Sequence, residues 1–315
     1  PMFSDNERNT NVSMVRALAK VLDGVTTEIE KFKPDLVLTG FDIGANLATT
    51  IAAAHMNIPV AHIQGGEVTG SIDESIRHAM SKFSHIHFPA TEDARNRLIR
   101  LGENPKYIFN VGCPSIDTIK QTPLIEKKIL EEKFKVDFSK PIVLLIQHPV
   151  TTESSDSQMQ ILNTISAIKN LGVQALVALP NNDAGSSEII NEIKKSGLSW
   201  YPSLSTKEFV NVYRNVWAII GNSSSGIHES STFGIPAVNI GTRQQDRERA
   251  ENVIDVSYER KSIQKGIEKA LFDDSFRSQV STLRNPFGEG ESSLKIVRIL
   301  KSVSLDGIIQ KRFYE

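Results

Sequence analysis

The sequence predicts an α/β protein made of two doubly wound domains, each a parallel sheet covered by helices on both faces. Three observations predict it. Short β-branched, apolar runs alternate with helical patterns along most of the chain, and the residues just after those runs are polar and Gly-rich. The third is length, because 315 residues is about twice the common domain size and each half can bury its own core.

Strand-like runs at 35–40, 59–64, 85–88 and 107–111 alternate with helical patterns at 45–56, 72–83 and 91–101. Continuously apolar strands separated by helices of this kind indicate βαβ units and a sheet buried on both faces. A polar, Lys-rich interval at 121–140, with a helix expected through 125–132, breaks the rhythm. The alternation restarts at 141–146, the most apolar run, and continues at 174–179, 217–220 and 236–240. The expected division gives residues 1–120 to a first domain. Residues 121–315 form a second one whose last helix returns toward the first.

The bulk numbers exclude several classes. With 39% apolar residues, 23% charged residues, a net charge of −1 and no long run of Lys or Arg, nothing resembles a nucleic-acid or anionic-membrane surface. The one cysteine, Cys113, rules out an internal disulfide and a Cys-rich zinc site, and it fits a reducing compartment. There is no apolar stretch near the ~20 residues of a membrane span, and the first residues lack the basic and apolar parts of a signal peptide. A cytoplasmic protein is expected.

Ligands of doubly wound sheets sit outside the carboxyl ends of the strands, so those positions come first. Gly221-Asn222-Ser223-Ser224-Ser225-Gly226 reads as a small-residue turn between a strand and a helix. Such a turn suits a phosphate, and equally an ordinary Ser cap. Glu229, one turn on, is placed to accept from ribose hydroxyls. Glu67, Asp73 and Glu74 cluster after another strand, and paired carboxylates in unlike surroundings suit acid–base work. Asp73 and Glu74 are equally explained as first-turn acids of a helix, a reading that fits Glu74 best. Asp42 follows the first strand, where either a base or a helix cap would stand. His148 ends the most apolar strand, and Arg243 follows the strand at 236–240, within reach of a phosphate or of a surface ion pair. His85 and His87 alternate within a strand with no third ligand beside them, so no metal is expected.

Read together, several blocks carry a resemblance. They are His-Ile-Gln-Gly-Gly-Glu-Val-Thr-Gly (62–70), Ile-Asp-Glu-Ser-Ile-Arg-His (72–78), Gly-Cys-Pro-Ser-Ile-Asp (112–117) and Gln-His-Pro-Val-Thr-Thr (147–152). Pro-Asn-Asn-Asp-Ala-Gly-Ser (180–186), the serine turn (221–226) and Phe-Gly-Ile-Pro-Ala-Val-Asn-Ile-Gly-Thr-Arg-Gln (233–244) continue them. In that order they resemble the hydrolysing UDP-N-acetylglucosamine 2-epimerases, specifically the sialic-acid-pathway branch that releases N-acetylmannosamine. The resemblance implies a GT-B-like pair of Rossmann-like domains with the active site in the interdomain cleft. It implies no cofactor, a UDP-sugar substrate, UDP as product, and a homo-oligomer, dimer or tetramer.

The implied chemistry is elimination of UDP to a glycal, followed by addition of water. Asp42, Glu67 and Asp73 match carboxylates of proton transfer, with Glu74 beside them, and His148 matches a histidine near the diphosphate. Asn181, Ser223, Ser224, Glu229 and Arg243 match nucleotide contacts. Family members often carry Glu where this chain has Gln64, a side chain that cannot act as acid or base. They also open with a strand, a phosphate-contacting Arg loop, a helix and a second strand that lie ahead of this chain's first residue. The first domain therefore reads as N-terminally incomplete, with an apolar sheet edge. The same reaction on a UDP-linked 2,4-diacetamido-trideoxyhexose is the near alternative. A GT-B glycosyltransferase using a UDP-sugar is a further one, although it would not need three carboxylates at C2.

Overall fold

The computed structural model describes residues 11–41 and 43–315, so Asp42 lies outside the described residues. The chain divides into two compact units, residues 1–117 with 287–315, and residues 118–286. The second domain expected from the sequence ran on to Glu315 with its last helix returning toward the first; the last 29 residues, 287–315, group with the first unit.

The first unit holds a parallel three-stranded sheet in the order β1 (Val37–Gly40), β2 (Val60–Ile63), β3 (Ile86–Phe88). Helices Gly44–His55 and Ile72–Phe83 make the crossovers, close to their sequence-predicted spans. On one face Ile29, from the long helix Asn11–Phe32, packs with Ala52, Ala53 and Val60. On the other, Ala61, Ile86 and Phe88 meet Val111, Ile296 and Ile308. The latter two explain why the C-terminal segment belongs here: its apolar side chains complete a core that three strands leave open. Its helix, Ser292–Ser302, is anchored at the start by Asp117, whose carboxylate accepts from the backbone N–H of Ser292 at 3.0 Å and of Ser293 at 2.7 Å. A carboxylate at orphan first-turn N–H groups is the usual remedy for a helix start. β1 is an edge strand of this sheet, and Leu38 on it is 47% exposed, so apolar surface is open there.

The strand expected at 107–111 is not a regular one. Pro105–Tyr107 forms a 3₁₀ turn capped by Asn104, and only one bridge follows, His87 with Ile108. Proline starts a turn readily because it has no N–H to give a ladder, and the turn uses up the first residue of the apolar run.

The second unit is built on a six-stranded, wholly parallel sheet. Its order is β6 (Ser199–Tyr201), β5 (Gln174–Ala178), β4 (Ile142–Ile146), β7 (Ala218–Gly221), β8 (Ala237–Ile240), β9 (Val253–Val256). The short outer strands β6 and β9 carry no continuous apolar run and were not anticipated. All five residues of β4 are buried. Alternate side chains serve two cores, Val143 and Leu145 packing with Ile165, Ile220 and Ile267, and Leu144 and Ile146 with Phe134, Leu176 and Tyr213. The chain leaves β4 toward β5 and β6, then crosses back to β7 on the other side. The switch point, where ligands of such sheets sit, is therefore between the carboxyl ends of β4 and β7.

Candidate active site

That switch point is built around Asn222. Gly221, which ends β7, has φ +124°, and a Cβ there would run into the carbonyl oxygen of Ile146. Only glycine fits this approach, and it brings Asn222 beside the end of β4. The Asn222 N–H donates to the Ile146 oxygen at 3.1 Å. Its side chain then continues the pairing that the backbone has stopped making. Oδ1 accepts from the His148 N–H at 2.7 Å, and Nδ2 donates to the His148 oxygen at 2.9 Å. The Asn222 carbonyl in turn accepts from Arg243 at 3.2 Å and from Gln244 Nε2 at 3.0 Å. One buried residue thus joins the ends of β4, β7 and β8.

His148 is held from a second side. Its Nδ1 accepts the backbone N–H of Asn181 at 3.0 Å, which leaves the ring proton on Nε2. Burial, with the Arg243 charge beside it, lowers the His148 pKa from 6.5 to about 3, so the ring is neutral near pH 7. Asn181 meets the site through its backbone, since its side chain donates to Asp183 at 2.5 Å.

The serine turn differs from its sequence reading. The helix it opens, Ser225–His228, is a single turn, and a 3₁₀ turn, Ser230–Phe233, follows. Glu229 closes the first turn instead of standing one turn into a long helix, and a helix this short has no dipole worth invoking. Ser223 Oγ accepts from the Ser225 N–H at 3.3 Å, and the Ser225 hydroxyl lies 3.1 Å from it. The buried Tyr213 hydroxyl reaches Ser225 Oγ at 3.4 Å, and its pKa is raised by burial and then by Glu229. Ser224 caps the turn without using its side chain. What this segment offers a ligand is small side chains and hydroxyls, with the fully buried Tyr213 behind Ser225. Glu153 ties the same rim together, accepting from Thr242 Oγ1 at 2.6 Å and Gln160 Nε2 at 2.9 Å.

The carboxylates lie in the first unit. Glu67, in the turn after β2, is only 4% exposed; its carbonyl accepts from Arg77 at 2.9 Å and its carboxylate from Gln64 Nε2 at 3.4 Å. Gln64 itself sits in the left-handed region, φ +61°, which turns the chain sharply out of the strand. Asp73 is in the first turn of its helix, its N–H donating to the capping Ser71 at 3.3 Å. Glu74 is occupied otherwise. One oxygen accepts from the Thr69 N–H at 2.8 Å and the other lies 3.6 Å from His78, so it staples the loop to the helix.

Three histidines of this unit are held within its interior. His85 Nδ1 accepts from the Val60 N–H at 3.0 Å, and His87 Nε2 lies 3.0 Å from Glu103. His62 is fully buried against Ser81, and burial, with His87 and Lys311 adding to it, lowers its pKa to about 3. Among the described residues no group of three His, Cys, Asp or Glu side chains is arranged to hold a metal.

The sequence thus led to His148, Asn181, the serine turn and Arg243, which the structure brings to one rim of the second sheet. It missed Asn222, Gln244, Glu153 and Tyr213. The available signal for Asn222 was an amide between a strand-ending glycine and the serines, at a position where a buried side chain can pair like backbone.

A family model described as UDP-N-acetylglucosamine 2-epimerase matches residues 4–301. A UDP-N,N'-diacetylbacillosamine 2-epimerase (hydrolyzing) of Legionella pneumophila is 39% identical over 297 residues, 93% of this chain and 78% of the relative. A UDP-N-acetylglucosamine 2-epimerase of Neisseria meningitidis is 31% identical over 260 residues, 82% of this chain and 69% of the relative. Among solved structures, the UDP-GlcNAc 2-epimerase from Neisseria meningitidis bound to UDP-GlcNAc is similar in fold. Its TM-score is 0.81 at 21% identity, over 96% of this chain and 84% of that one. The GT-B-like architecture is therefore shared. Among the described residues no helix is long and apolar enough to cross a membrane.

Proposed function

Because this chain belongs to the UDP-N-acetylglucosamine 2-epimerase family, we propose that it hydrolyses and epimerises a UDP-linked 2-acetamido sugar, with UDP-N,N'-diacetylbacillosamine favoured. The observation that carries the choice of sugar is the Legionella relative at 39% identity, and a Campylobacter jejuni relative named GDP/UDP-N,N'-diacetylbacillosamine 2-epimerase adds to it at 32%. UDP-N-acetylglucosamine, the sugar first expected from the sequence, is the second reading, favoured by the Neisseria relative at 31%.

The reaction needs two kinds of group. In the first step a carboxylate takes the C2 proton while the C1–O bond breaks and its electrons leave with UDP, forming a C1=C2 double bond. Glu67 and Asp73, with Asp42, are the carboxylates assigned here, and Glu74 is left to hold the loop. Between them they also return a proton to C2 on the opposite face when water adds at C1. The charge that develops on the departing diphosphate is met in the second unit. Arg243 supplies a cation, His148 a neutral Nε2–H donor, and Ser223 and Ser224 hydroxyls. Asn181 and Glu229 complete the nucleotide contacts, Glu229 as acceptor for ribose hydroxyls. Hydrogen-bond donors fixed in advance at a point of developing charge are the strongest single aid to such a step.

The test is incubation with each UDP-sugar in heavy water, followed by proton NMR. The reading requires deuterium at C2 of a released, C2-inverted sugar, together with UDP. Transfer of the sugar without exchange at C2 would point to a glycosyltransferase instead, and faster turnover of UDP-N-acetylglucosamine would reverse the order of substrates.

A further inference from the structure

We propose that Asn222 is the positioning residue of this site, acting through His148 and Arg243 without touching the ligand. The inference rests on the UDP-binding role given above to those two residues. It stands on geometry. Asn222 is fully buried, and its amide makes both of its bonds to the His148 backbone, at 2.7 and 2.9 Å, as a sheet neighbour would. Its carbonyl accepts from Arg243 and Gln244, and Gln244 Oε1 accepts from Arg247 at 2.8 Å. A chain of hydrogen bonds therefore runs from Arg247 through Gln244 and Asn222 to His148.

The consequence concerns which nitrogen of His148 carries the proton. Asn222 fixes the height of the His148 backbone, and that height sets whether Nδ1 meets the Asn181 N–H, 3.0 Å away. With that bond made, the ring presents Nε2–H, a donor suited to an anionic oxygen. With it lost, the proton can move to Nδ1, and Nε2 becomes an acceptor that repels a phosphate. The same residue sets Arg243 by its carbonyl, so one side chain couples a neutral and a charged donor.

Two variants and two readouts test this. In ligand-free protein, ¹⁵N NMR of the His148 ring should show the Nε2–H tautomer in the parent and a mixture in N222A. N222D keeps the acceptor for the His148 N–H but sets an oxygen against the His148 carbonyl, whose repulsion displaces the same backbone, so its ring should also show a mixture. By calorimetry, N222A should weaken UDP binding by about tenfold in the parent background and by less than about threefold when His148→Ala is already present, since residues acting as one unit are not additive. Equal losses in both backgrounds, or an unmoved His148 tautomer in N222A and N222D despite lowered melting temperatures, would make Asn222 a purely structural residue and overturn the proposal. If N222A does not fold, N222D carries both readouts. If the parent binds no UDP, the functional reading fails, while the tautomer in ligand-free protein still decides the positioning role.

Discussion

The two units of this protein hold their candidate residues in different ways. In the second, the groups assigned to the nucleotide stand at the rim of a six-stranded sheet with filled cores on both faces. They are cross-tied by Asn222 and Glu153, so neighbouring strand ends cannot shift independently. In the first, the carboxylates sit in a loop and a first helical turn beside a three-stranded sheet whose edge strand exposes Leu38. The contrast teaches a division of labour. Binding donors are useful when immobile, because their value lies in being aimed before charge develops. A carboxylate that exchanges a proton needs a particular environment, and Glu67, for which that role is proposed, is buried in a glycine-containing turn held by Arg77 and Gln64.

The sharpest way to break that division is at Glu67. Glu67→Gln should lower turnover by about a thousandfold, the range of a lost general acid or base, while leaving UDP affinity within about twofold; Asp73→Asn should behave alike. A large fall in UDP affinity, measured by calorimetry, would place these residues on the binding side instead. Next in size is the asymmetry of the cores. Leu144→Ala should cost about 3 kcal/mol in denaturant unfolding, because it leaves a cavity among fully buried neighbours, whereas Leu38→Ala should cost under about 0.5 kcal/mol at its exposed site. Equal costs would mean the two sheets are not packed as differently as described.

Arg243→Ala should weaken UDP binding by about ten- to thirtyfold, the worth of one charge-assisted hydrogen bond, with a smaller effect on the C2 exchange step under saturating substrate. A defect confined to exchange would contradict its place on the binding side. The last test is pH, which reaches one group in each unit. His62 and His148, one in each unit, have pKa values lowered from 6.5 to about 3. Between those limits the unfolded chain binds more protons, so their contribution is complete above pH 6.5 and is lost as pH falls toward 3. Denaturation midpoints at pH 7.5, 5.5 and 4.5 should decrease in that order. His148→Gln should flatten the profile in part, and a profile unchanged by it would deny that His148 is held neutral.

Much of this was legible along the chain. The strands at 60–63, 142–146 and 237–240 are apolar runs of the right length. The polar residues after them mark ligand positions because a parallel sheet leaves only its strand ends open. Other features were not legible. The run at 107–111 looks like a strand, yet Pro105 spends its start on a turn. Glu74 and Asp73 are adjacent acids for which the first-turn reading fits Glu74 better; only the fold shows that the Glu74 carboxylate accepts from the Thr69 N–H. Glu229 sits at the end of a single helical turn, because the chain tightens into a 3₁₀ turn at Ser230.

The sequence by itself determined the βαβ rhythm, the family, and the polar residues at the strand ends, since each of these is written in local periodicity or in contiguous blocks. Only the tertiary structure decided that the returning C-terminal segment belongs to the first unit from residue 287 onward, and that Asn222 joins His148 to Arg243. The Asp117–Ser292 contact spans 175 positions of chain and the Asn222–His148 pairing 74. A buried amide and a returning helix look locally like any other; what they pair with is settled when the core closes and every buried polar group must find its partner.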